Sequence, residues 1–331
     1  MPLPPVPGSS VDGSLWALWR GDRAEVGAYG CGRAALSALL AQRRARRVWL
    51  PSYACAALAE AAAGREVRWF AVGPDLEPDA GGLSRELAPG DAVVAIDYFG
   101  RPPGGAWLDL VASRPNVLWV EDRAQALDAG VPAWGEVALY SPRKLLGVGD
   151  GGLLASDRPL PPPFGRPSPP ATAQADRARD PDGRRPERWF PAFQDQERAF
   201  DVDCGVMSPA TRNVLERTAA EPLVAARRAN GQRLAAALAD LALWPNERFD
   251  FAPMAFPIRV GGRDAIVAAL AAEAIYCAVH WRDLPSDPAA FPHAHALSAE
   301  ILSLPCDHRY GAAEMARIVA ALRACGARPP H

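Results

Sequence analysis

The chain has 331 residues, of which 49% are hydrophobic and 22% charged, so it holds enough apolar material for one large domain and a smaller one. Its formal net charge of -2 at pH 7 argues against a nucleic-acid partner. The proline-rich amino terminus does not resemble a signal peptide, and charges interrupt every apolar stretch before it reaches membrane-spanning length. We therefore expect a globular cytoplasmic protein without a membrane partner.

Residues 32–156 alternate between helical and extended patterns, which is typical of an α/β fold with a mostly parallel sheet flanked by helices. The pattern predicts helices over residues 33–44, 54–63 and 106–113. Strands are predicted over residues 48–50, 67–72, 92–98, 117–121, 136–140 and 152–155. Residues 25–29, which precede the first helix, have a poor strand pattern.

The composition changes after residue 156. Residues 158–187 are rich in Pro, Arg, Asp and Gly without apolar periodicity, so a loop or flap is predicted over residues 158–190. A helical pattern covers residues 208–241. The rest predicts a smaller α/β unit, with strands over residues 252–260, 276–281 and 301–304 and helices over 263–273 and 312–324. We place the domain boundary between a large domain, residues 1–205, and a linking helix with a small domain, residues 206–331.

The chain contains a single lysine, Lys144, among its 36 lysine and arginine residues. An arginine can replace a lysine in most surface roles, but a guanidinium cannot condense with an aldehyde as an amine can. Lys144 is therefore a candidate for covalent chemistry. Taken alone, it is equally consistent with an ordinary surface residue in an arginine-biased sequence.

Three segments follow predicted strands, where ligands collect in parallel sheets. Residues 29–36 (Y-G-C-G-R-A-A-L) form a glycine-rich turn before a helix, residues 120–125 (V-E-D-R-A-Q) end an apolar strand with two acids, and residues 140–152 surround the lysine. Together they supply what a pyridoxal phosphate site needs. Lys144 would bind the aldehyde, and Asp122 would keep the pyridine nitrogen protonated. Ser141, with Gly32 and Arg33, would bind the phosphate.

These segments resemble the fold-type I pyridoxal phosphate aminotransferases, in particular the DegT/StrS family of sugar aminotransferases. Residues 32–36 (G-R-A-A-L) resemble the family's Gly-Thr-x-Ala-Leu turn, and residues 121–125 (E-D-R-A-Q) its Glu-Asp-x-Ala-Gln motif. Lys144 is followed by G-D-G-G at 149–152, where the family has Gly-Glu-Gly-Gly. Weaker similarities occur at residues 50–53, 97–100, 227–230 and 302–305.

The resemblance implies a homodimer with its active site near the interface. Each subunit would have a large cofactor domain and a smaller C-terminal α/β domain. It also implies a Schiff base on Lys144, Asp122 at the pyridine nitrogen and Gln125 beside the ring. The reaction would transfer an amino group from an amino acid donor to a keto sugar nucleotide or a related small keto substrate. Asp97, Tyr98 and His280 are predicted to contact substrate.

The sequence also departs from the family. The usual serine five residues before the lysine is Leu139, and Ser141 stands at the shorter spacing used by other fold-type I enzymes. Cys55 occupies the position of the aromatic residue that stacks on the cofactor, so Tyr53 is expected to take over or the ring is covered differently. An Asn-x-Arg segment that relatives contribute across the dimer interface is not visible.

Several alternatives remain open on sequence alone. The same cofactor serves lyases and dehydratases, and a binding protein without turnover is also consistent. Residues 30–35 match a loose G-x-G-x-x-A fingerprint of a dinucleotide-dependent oxidoreductase. His280 would be either a substrate contact or an ordinary half-buried histidine in a strand.

Outside these segments we expect no metal site. His293 and His295 fit a surface loop, since no acidic or cysteine ligand completes a set nearby. Arg184, Trp189 and their neighbours could grip an anionic nucleotide or form a solvated loop. The six cysteines include no C-x-x-C pair and fit small buried residues rather than a disulfide framework.

Overall fold

The computed structural model describes residues 13–163, 165, 176–177, 179–180 and 185–330. Strands in this part of the chain are β1 (Glu25–Tyr29), β2 (Arg47–Pro51), β3 (Glu66–Phe70), β4 (Ala92–Ile96), β5 (Leu118–Asp122), β6 (Ala126–Asp128), β7 (Val137–Tyr140), β8 (Gly152–Ser156), β9 (Ala252–Pro253), β10 (Phe256–Arg259) and β11 (Ile301–Leu304). Its helices are α1 (Leu15–Arg20), α2 (Gly32–Gln42), α3 (Ala56–Ala61), α4 (Ala80–Ser84), α5 (Gly105–Ser113), α6 (Pro142–Leu145), α7 (Phe190–Ala199), α8 (Pro209–Arg217), α9 (Ala220–Ala237), α10 (Arg263–Ala272), α11 (Pro292–Glu300) and α12 (Ala312–Ala324).

A seven-stranded sheet forms the centre of the molecule, in the order β1-β8-β7-β5-β4-β2-β3. From β7 to β3 every neighbouring pair is parallel, whereas β8 runs antiparallel to both β7 and β1. The predicted α/β class with a mostly parallel sheet is confirmed. Residues 25–29, a poor strand by pattern, form the edge strand β1, because their backbone pairs along the whole of β8.

Burial on both faces explains the apolar strand sequences. All five residues of β4 (A-V-V-A-I) are buried, as expected for a central parallel strand. Helix α2 packs Leu36, Leu39 and Leu40 into the same core. Trp107 of α5 is fully buried and meets the ring of Trp119 edge to face. Each such side chain contributes about 1.5–3 kcal/mol of burial free energy.

In the C-terminal part, helix α10 packs against β11 of the antiparallel β10–β11 pair, and α12 packs against α10 and α9. The predicted strand at residues 301–304 and the helices at 263–273 and 312–324 are present, to within one residue. The single helix predicted over 208–241 is wrong, because Thr218 and Ala219 take extended backbone conformations that end α8 and cap α9. The strand predicted over 252–260 is split into β9 and β10.

The strand predicted over residues 276–281 is also wrong. Only Ala278 pairs with a neighbour, through an isolated bridge to Ser303. The carbonyl of His280 accepts a hydrogen bond from the hydroxyl of Tyr53, so a side chain and not a neighbouring strand holds this end of the segment.

One apolar core runs without a break from the large sheet to α10 and α12. The division at residues 205 and 206 stays a prediction. About half of the loop predicted over 158–190 lies outside the described residues, and its end forms a 3-10 turn at Pro186–Arg188 and the start of α7. Among the described residues no helix combines the length and apolarity needed to span a bilayer.

Candidate active site

A cleft of about 470 Å³, part of it open to solvent, lies at the carboxyl ends of β5 and β7 and at the start of α2. Parallel strands end at the same edge of a sheet, and this edge is where ligands bind in such folds. Six of the residues predicted from sequence line the cleft together: Gly32, Arg33, Cys55, Asp122, Ser141 and Lys144.

Lys144 lies on the short helix α6, directly after β7. Buried Pro142 starts this helix with its fixed φ, and Ser141 is the capping residue. The N–H of Leu146 closes the turn on the carbonyl of Pro142 at 2.8 Å. Leu145 is buried in the core while Lys144 is exposed to the cleft. The turn thus directs the amine into the cleft and anchors its neighbour beneath.

Asp122 ends β5 at the floor of the cleft and is 5% exposed. Its Oδ1 accepts a hydrogen bond from the N–H of Ala124 at 2.9 Å. Burial raises the pKa of this carboxyl, and the charge of Lys144 and the Ala124 hydrogen bond only partly oppose that rise. A cation bound against Asp122 in the cleft would stabilise its ionised form.

The start of α2 forms the other end of the cleft. Cys31 caps the helix, and its Sγ accepts from the N–H of Ala34 at 3.4 Å. Gly152 packs directly on this turn, since a Cβ there would lie 2.4 Å from the carbonyl carbon of Cys31. The glycine-rich segment after the lysine therefore fixes the position of the α2 amino terminus.

The acid inside that segment, Asp150, has a structural role. Its carboxylate accepts from the backbone N–H of Ser208 at 2.7 Å and from the Ser208 hydroxyl at 2.8 Å. The hydroxyl of Thr211 donates to it as well. These bonds hold the start of α8, so Asp150 ties that helix to the lysine loop.

Two predicted cofactor residues lie behind the cleft instead of lining it. The Gln125 side-chain oxygen accepts from the N–H of Phe99 at 2.8 Å and holds the turn after β4. Tyr53 is fully buried, and its carbonyl accepts from the hydroxyl of Tyr98 at 2.5 Å. Burial raises the pKa of both tyrosines, so both stay protonated and act as hydrogen-bond donors.

His280 comes from the C-terminal part of the chain. Its Nδ1 is 2.8 Å from the Ser303 hydroxyl. Burial, together with the nearby charge of Lys144, lowers its pKa to about 4. The imidazole is therefore neutral at physiological pH and lies within electrostatic reach of the amine.

Asp97 belongs to a buried charge cluster beneath the cleft. Asp97 and Glu121 are both fully buried, and the Nε of Arg123 lies 2.5 Å from Glu121 Oε1 and 3.5 Å from Asp97 Oδ2. The indole N–H of Trp134 donates to Asp97 at 3.2 Å. Burial beside a second carboxylate raises the pKa of Asp97 well above its usual range. Neither Asp97 nor Tyr98 lines the cleft.

Several residues that line the cleft were not predicted from sequence, among them Arg143 and Phe200. The Arg143 guanidinium lies over the Phe200 ring at 4.3 Å and forms an ion pair with Glu197 of α7. The Arg33 guanidinium donates to the Phe200 carbonyl at 2.6 Å and forms an ion pair with Glu60. Adjacency to Lys144 was a signal for Arg143, whereas no local pattern indicates that Phe200 returns to this cleft.

The remaining predictions differ from the structure in detail. His293 and His295 lie on helix α11, so the predicted loop there is wrong. In the described part of the chain no three His, Cys, Asp or Glu side chains group as metal ligands would. Arg184 lies outside the described residues, and Trp189 donates to Asp180 at 3.0 Å. The glycine turn follows an antiparallel edge strand, unlike the central parallel strand of a dinucleotide-binding unit.

No protein-family model and no curated protein sequence matches the chain. Solved structures do match its fold. A DegT DnrJ EryC1 StrS aminotransferase from Brucella abortus has 20% identity and a TM-score of 0.67, with 93% of this chain and 87% of that chain covered. The sugar aminotransferase CalS13 from Micromonospora echinospora has 18% identity and a TM-score of 0.66, with 94% and 95% covered.

A proposed sugar aminotransferase from Streptococcus pneumoniae, Spr1654 in its PLP form, has 15% identity and a TM-score of 0.68, with 96% of this chain and 92% of that chain covered. At these identities the likeness concerns the fold. The chain has the fold of the DegT/DnrJ/EryC1/StrS sugar aminotransferases.

Proposed function

We propose that the chain is a pyridoxal phosphate-dependent aminotransferase that transfers an amino group from an amino acid donor to a keto sugar nucleotide or a related small keto substrate. One observation carries the proposal: the only lysine and a buried carboxylate line the same cleft at the ends of two parallel strands. The fold shared with sugar aminotransferases supports it.

The donor set of the cleft fits this cofactor. Pyridoxal phosphate has an aldehyde, a pyridine nitrogen and a phosphate, which require an amine, an acceptor for the ring proton, and anion-binding groups. Lys144 and Asp122 meet the first two requirements. Ser141, Gly32 at the start of the eleven-residue helix α2, and the arginine side chains of the cleft meet the third.

When bound, pyridoxal phosphate supplies an aldehyde that condenses with amines and a ring that withdraws electrons from the substrate carbon. Lys144 would hold the cofactor through Nζ and, once the incoming amine has displaced it, move a proton to and from the substrate carbon. Asp122 would keep the ring nitrogen protonated. His280, neutral and close to Lys144, would present a hydrogen-bonding edge to substrate without adding charge.

The finer parts of the proposal rest on the resemblance. They include a sugar nucleotide as acceptor, a homodimer with the active site near its interface, and a cytoplasmic location. Two guanidinium groups at the cleft, those of Arg33 and Arg143, are paired with Glu60 and Glu197, and an anionic substrate would compete with these carboxylates for them. Asp97 and Tyr98 are buried and do not line the cleft, so a substrate could contact them only if the residues that cover them moved.

Cofactor attachment is tested by mixing purified protein with pyridoxal phosphate, recording the visible absorption spectrum, reducing with borohydride and mapping the labelled peptide. Covalent label on Lys144 is expected. Lys144→Arg should stay folded and bind the cofactor only noncovalently, because no other side-chain amine exists. An absent visible band, or a label located elsewhere, would overturn the proposal.

Turnover is tested separately with the cofactor-loaded protein. Glutamate should convert the aldehyde form to the amine form, seen as loss of the visible absorption band, and a keto sugar nucleotide should reverse the change. A loaded protein that no amino acid converts would be a binding protein instead of an aminotransferase.

A further inference from the structure

Cys31 and Cys204 face each other at the rim of the cleft. The backbone around Tyr29 pairs antiparallel with that around Val206. Two hydrogen bonds flank this pair. The N–H of Met207 donates to the carbonyl of Ala28 at 3.4 Å, and the N–H of Gly30 donates to the carbonyl of Gly205 at 2.5 Å. Cys31 and Cys204 lie two residues beyond this pair, one on each of the two segments.

The ladder itself ends at the Tyr29–Val206 bridge. The Gly30 carbonyl accepts from the N–H of Gly151 at 2.7 Å, and Cys31 bridges to Gly151. The two cysteines are therefore brought together by this bridge and by their own side-chain contacts, not by a continued strand pairing. A disulfide spans a Cα separation of about 4.4–6.8 Å, so the two segments must stay close for a bond to form.

Side-chain contacts place the two thiols together. The Sγ of Cys31 lies 3.3 Å from the carbonyl oxygen of Asp201, while the N–H of Asp201 donates to the Sγ of Cys204 at 3.2 Å. Both cysteines pack in one small apolar cluster with Ala34 and Phe200. Burial, with a smaller contribution from the adjacent Cys204 thiol, raises the pKa of Cys31 to about 11. Cys204 is the more exposed of the two thiols.

We propose that Cys31 and Cys204 form a reversible disulfide that fastens the segment carrying Phe200 to the start of α2. The Cys204 thiolate attacks a small-molecule disulfide such as oxidised glutathione, forms a mixed disulfide and releases one thiolate. The Cys31 thiolate then attacks the Cys204 sulfur and displaces the second thiolate. Two protein thiols are oxidised, and one small disulfide is reduced to two thiols.

The bond would act on the cleft through its neighbours. Phe200 lies under the Arg143 guanidinium, and its carbonyl accepts from Arg33, so the Phe200 segment covers one wall of the cleft. Fixing this segment to α2 restricts how far that wall can open. The disulfide does not depend on the proposed function, whereas its effect on pyridoxal phosphate exchange rests on it.

The bridge is tested on the full chain equilibrated with oxidised and reduced glutathione at several ratios. We expect two of the six thiols to be lost and a peptide pair joining Cys31 to Cys204 after blocking and proteolysis without reduction. Cys204→Ser should abolish the pair, while Cys325→Ser, which removes another half-buried thiol, should leave it intact. Six retained thiols, a different pairing, or glutathione remaining on Cys204 would overturn the proposal.

Its consequence is read by hydrogen exchange in residues 200–205 and by the rate of pyridoxal phosphate uptake. Oxidation should slow hydrogen exchange and cofactor uptake several-fold, and dithiothreitol should restore both rates. In Cys204→Ser neither the oxidant nor dithiothreitol should change either rate. Unchanged exchange in the bridged protein would overturn the fastening role. If the reduced protein takes up no cofactor, the proposed function fails, and the peptide pair and hydrogen exchange still decide the disulfide.

Discussion

The guanidinium of Arg227 donates a hydrogen bond to the carbonyl oxygen of Leu145, the residue after Lys144, across 2.8 Å. Its other terminal nitrogen donates to the carbonyls of Pro253 and Met254 at 2.8 and 3.2 Å. Arg227 is only 2% exposed. One buried cation on helix α9 thus joins the lysine loop to β9, and the position of the amine depends on a contact between residues 82 positions apart.

Replacing this cation should loosen the lysine loop. Arg227→Met removes the donor to three carbonyls, and each buried unpaired acceptor costs about 1–3 kcal/mol, partly offset because the buried charge is also removed. We expect the free energy of unfolding to fall by about 2–4 kcal/mol, measured by urea denaturation. Arg227→Lys keeps the charge but not the forked geometry of the guanidinium. Its free energy of unfolding should therefore lie between those of wild type and Arg227→Met.

Arg228, the next residue on α9, provides the matched control. Its ion pair with Asp128 at 2.7 Å is partly open to solvent, with the arginine side chain 34% exposed. Arg228→Met should lower the free energy of unfolding by no more than about 1 kcal/mol. Equal losses for the two variants would show that Arg227 acts only as an ordinary charged residue of the helix.

A second prediction concerns the turn between the lysine loop and α2. A Cβ at Gly152 would lie 2.4 Å from both the carbonyl carbon and the oxygen of Cys31, whereas at Gly147 nothing lies within 4 Å. Gly152→Ala should therefore lower the free energy of unfolding by about 2–4 kcal/mol and weaken cofactor binding, since the α2 amino terminus must move. Gly147→Ala should be neutral or slightly stabilising. Thermal denaturation of both variants is the measurement, and similar melting temperatures would contradict the packing argument.

The local part of this site was predictable from sequence. Apolar runs that end in E-D and in Y-S-P-R-K predict the ends of two strands. Parallel strands end at the same edge of a sheet. Asp122, Ser141 and Lys144 therefore line one cleft, as expected. The glycine turn at residues 30–32 is likewise a local feature.

Long-range contacts were not predictable in this way. Phe200 reaches the cleft through Arg33 and Arg143, which lie far from it in sequence and share no periodic pattern with it. The apolar run at residues 276–281 has the composition of a strand. Whether such a run pairs depends on a neighbouring strand within reach, and here only Ala278 finds one, through its bridge to Ser303.

Asp122 should make the protein without cofactor less stable at neutral pH. Because burial raises its pKa, the folded state disfavours the ionised carboxylate, and stability is lost as the pH rises above the ordinary carboxyl pKa of about 3.9. Asp122→Asn can keep the hydrogen bond from Ala124 without the charge. It should therefore unfold at higher urea than wild type at pH 7, and the difference should shrink as the pH approaches 4. The same variant should lose turnover under the proposed function, whereas a less stable variant at pH 7 would contradict the burial argument.

His280 should make stability fall in mild acid. Its pKa in the folded protein is about 4, below the ordinary value of 6.5, because burial and the charge of Lys144 disfavour the protonated ring. The unfolded chain therefore takes up the proton first, and stability is lost as the pH falls from 6.5 towards 4. His280→Gln cannot be protonated, so between pH 7.5 and 4.5 it should gain about 1–3 kcal/mol relative to wild type in urea denaturation. His293→Gln, at an exposed position of α11, should follow wild type at both pH values. A constant difference between His280→Gln and wild type across this range would show that the imidazole is not held neutral beside the amine.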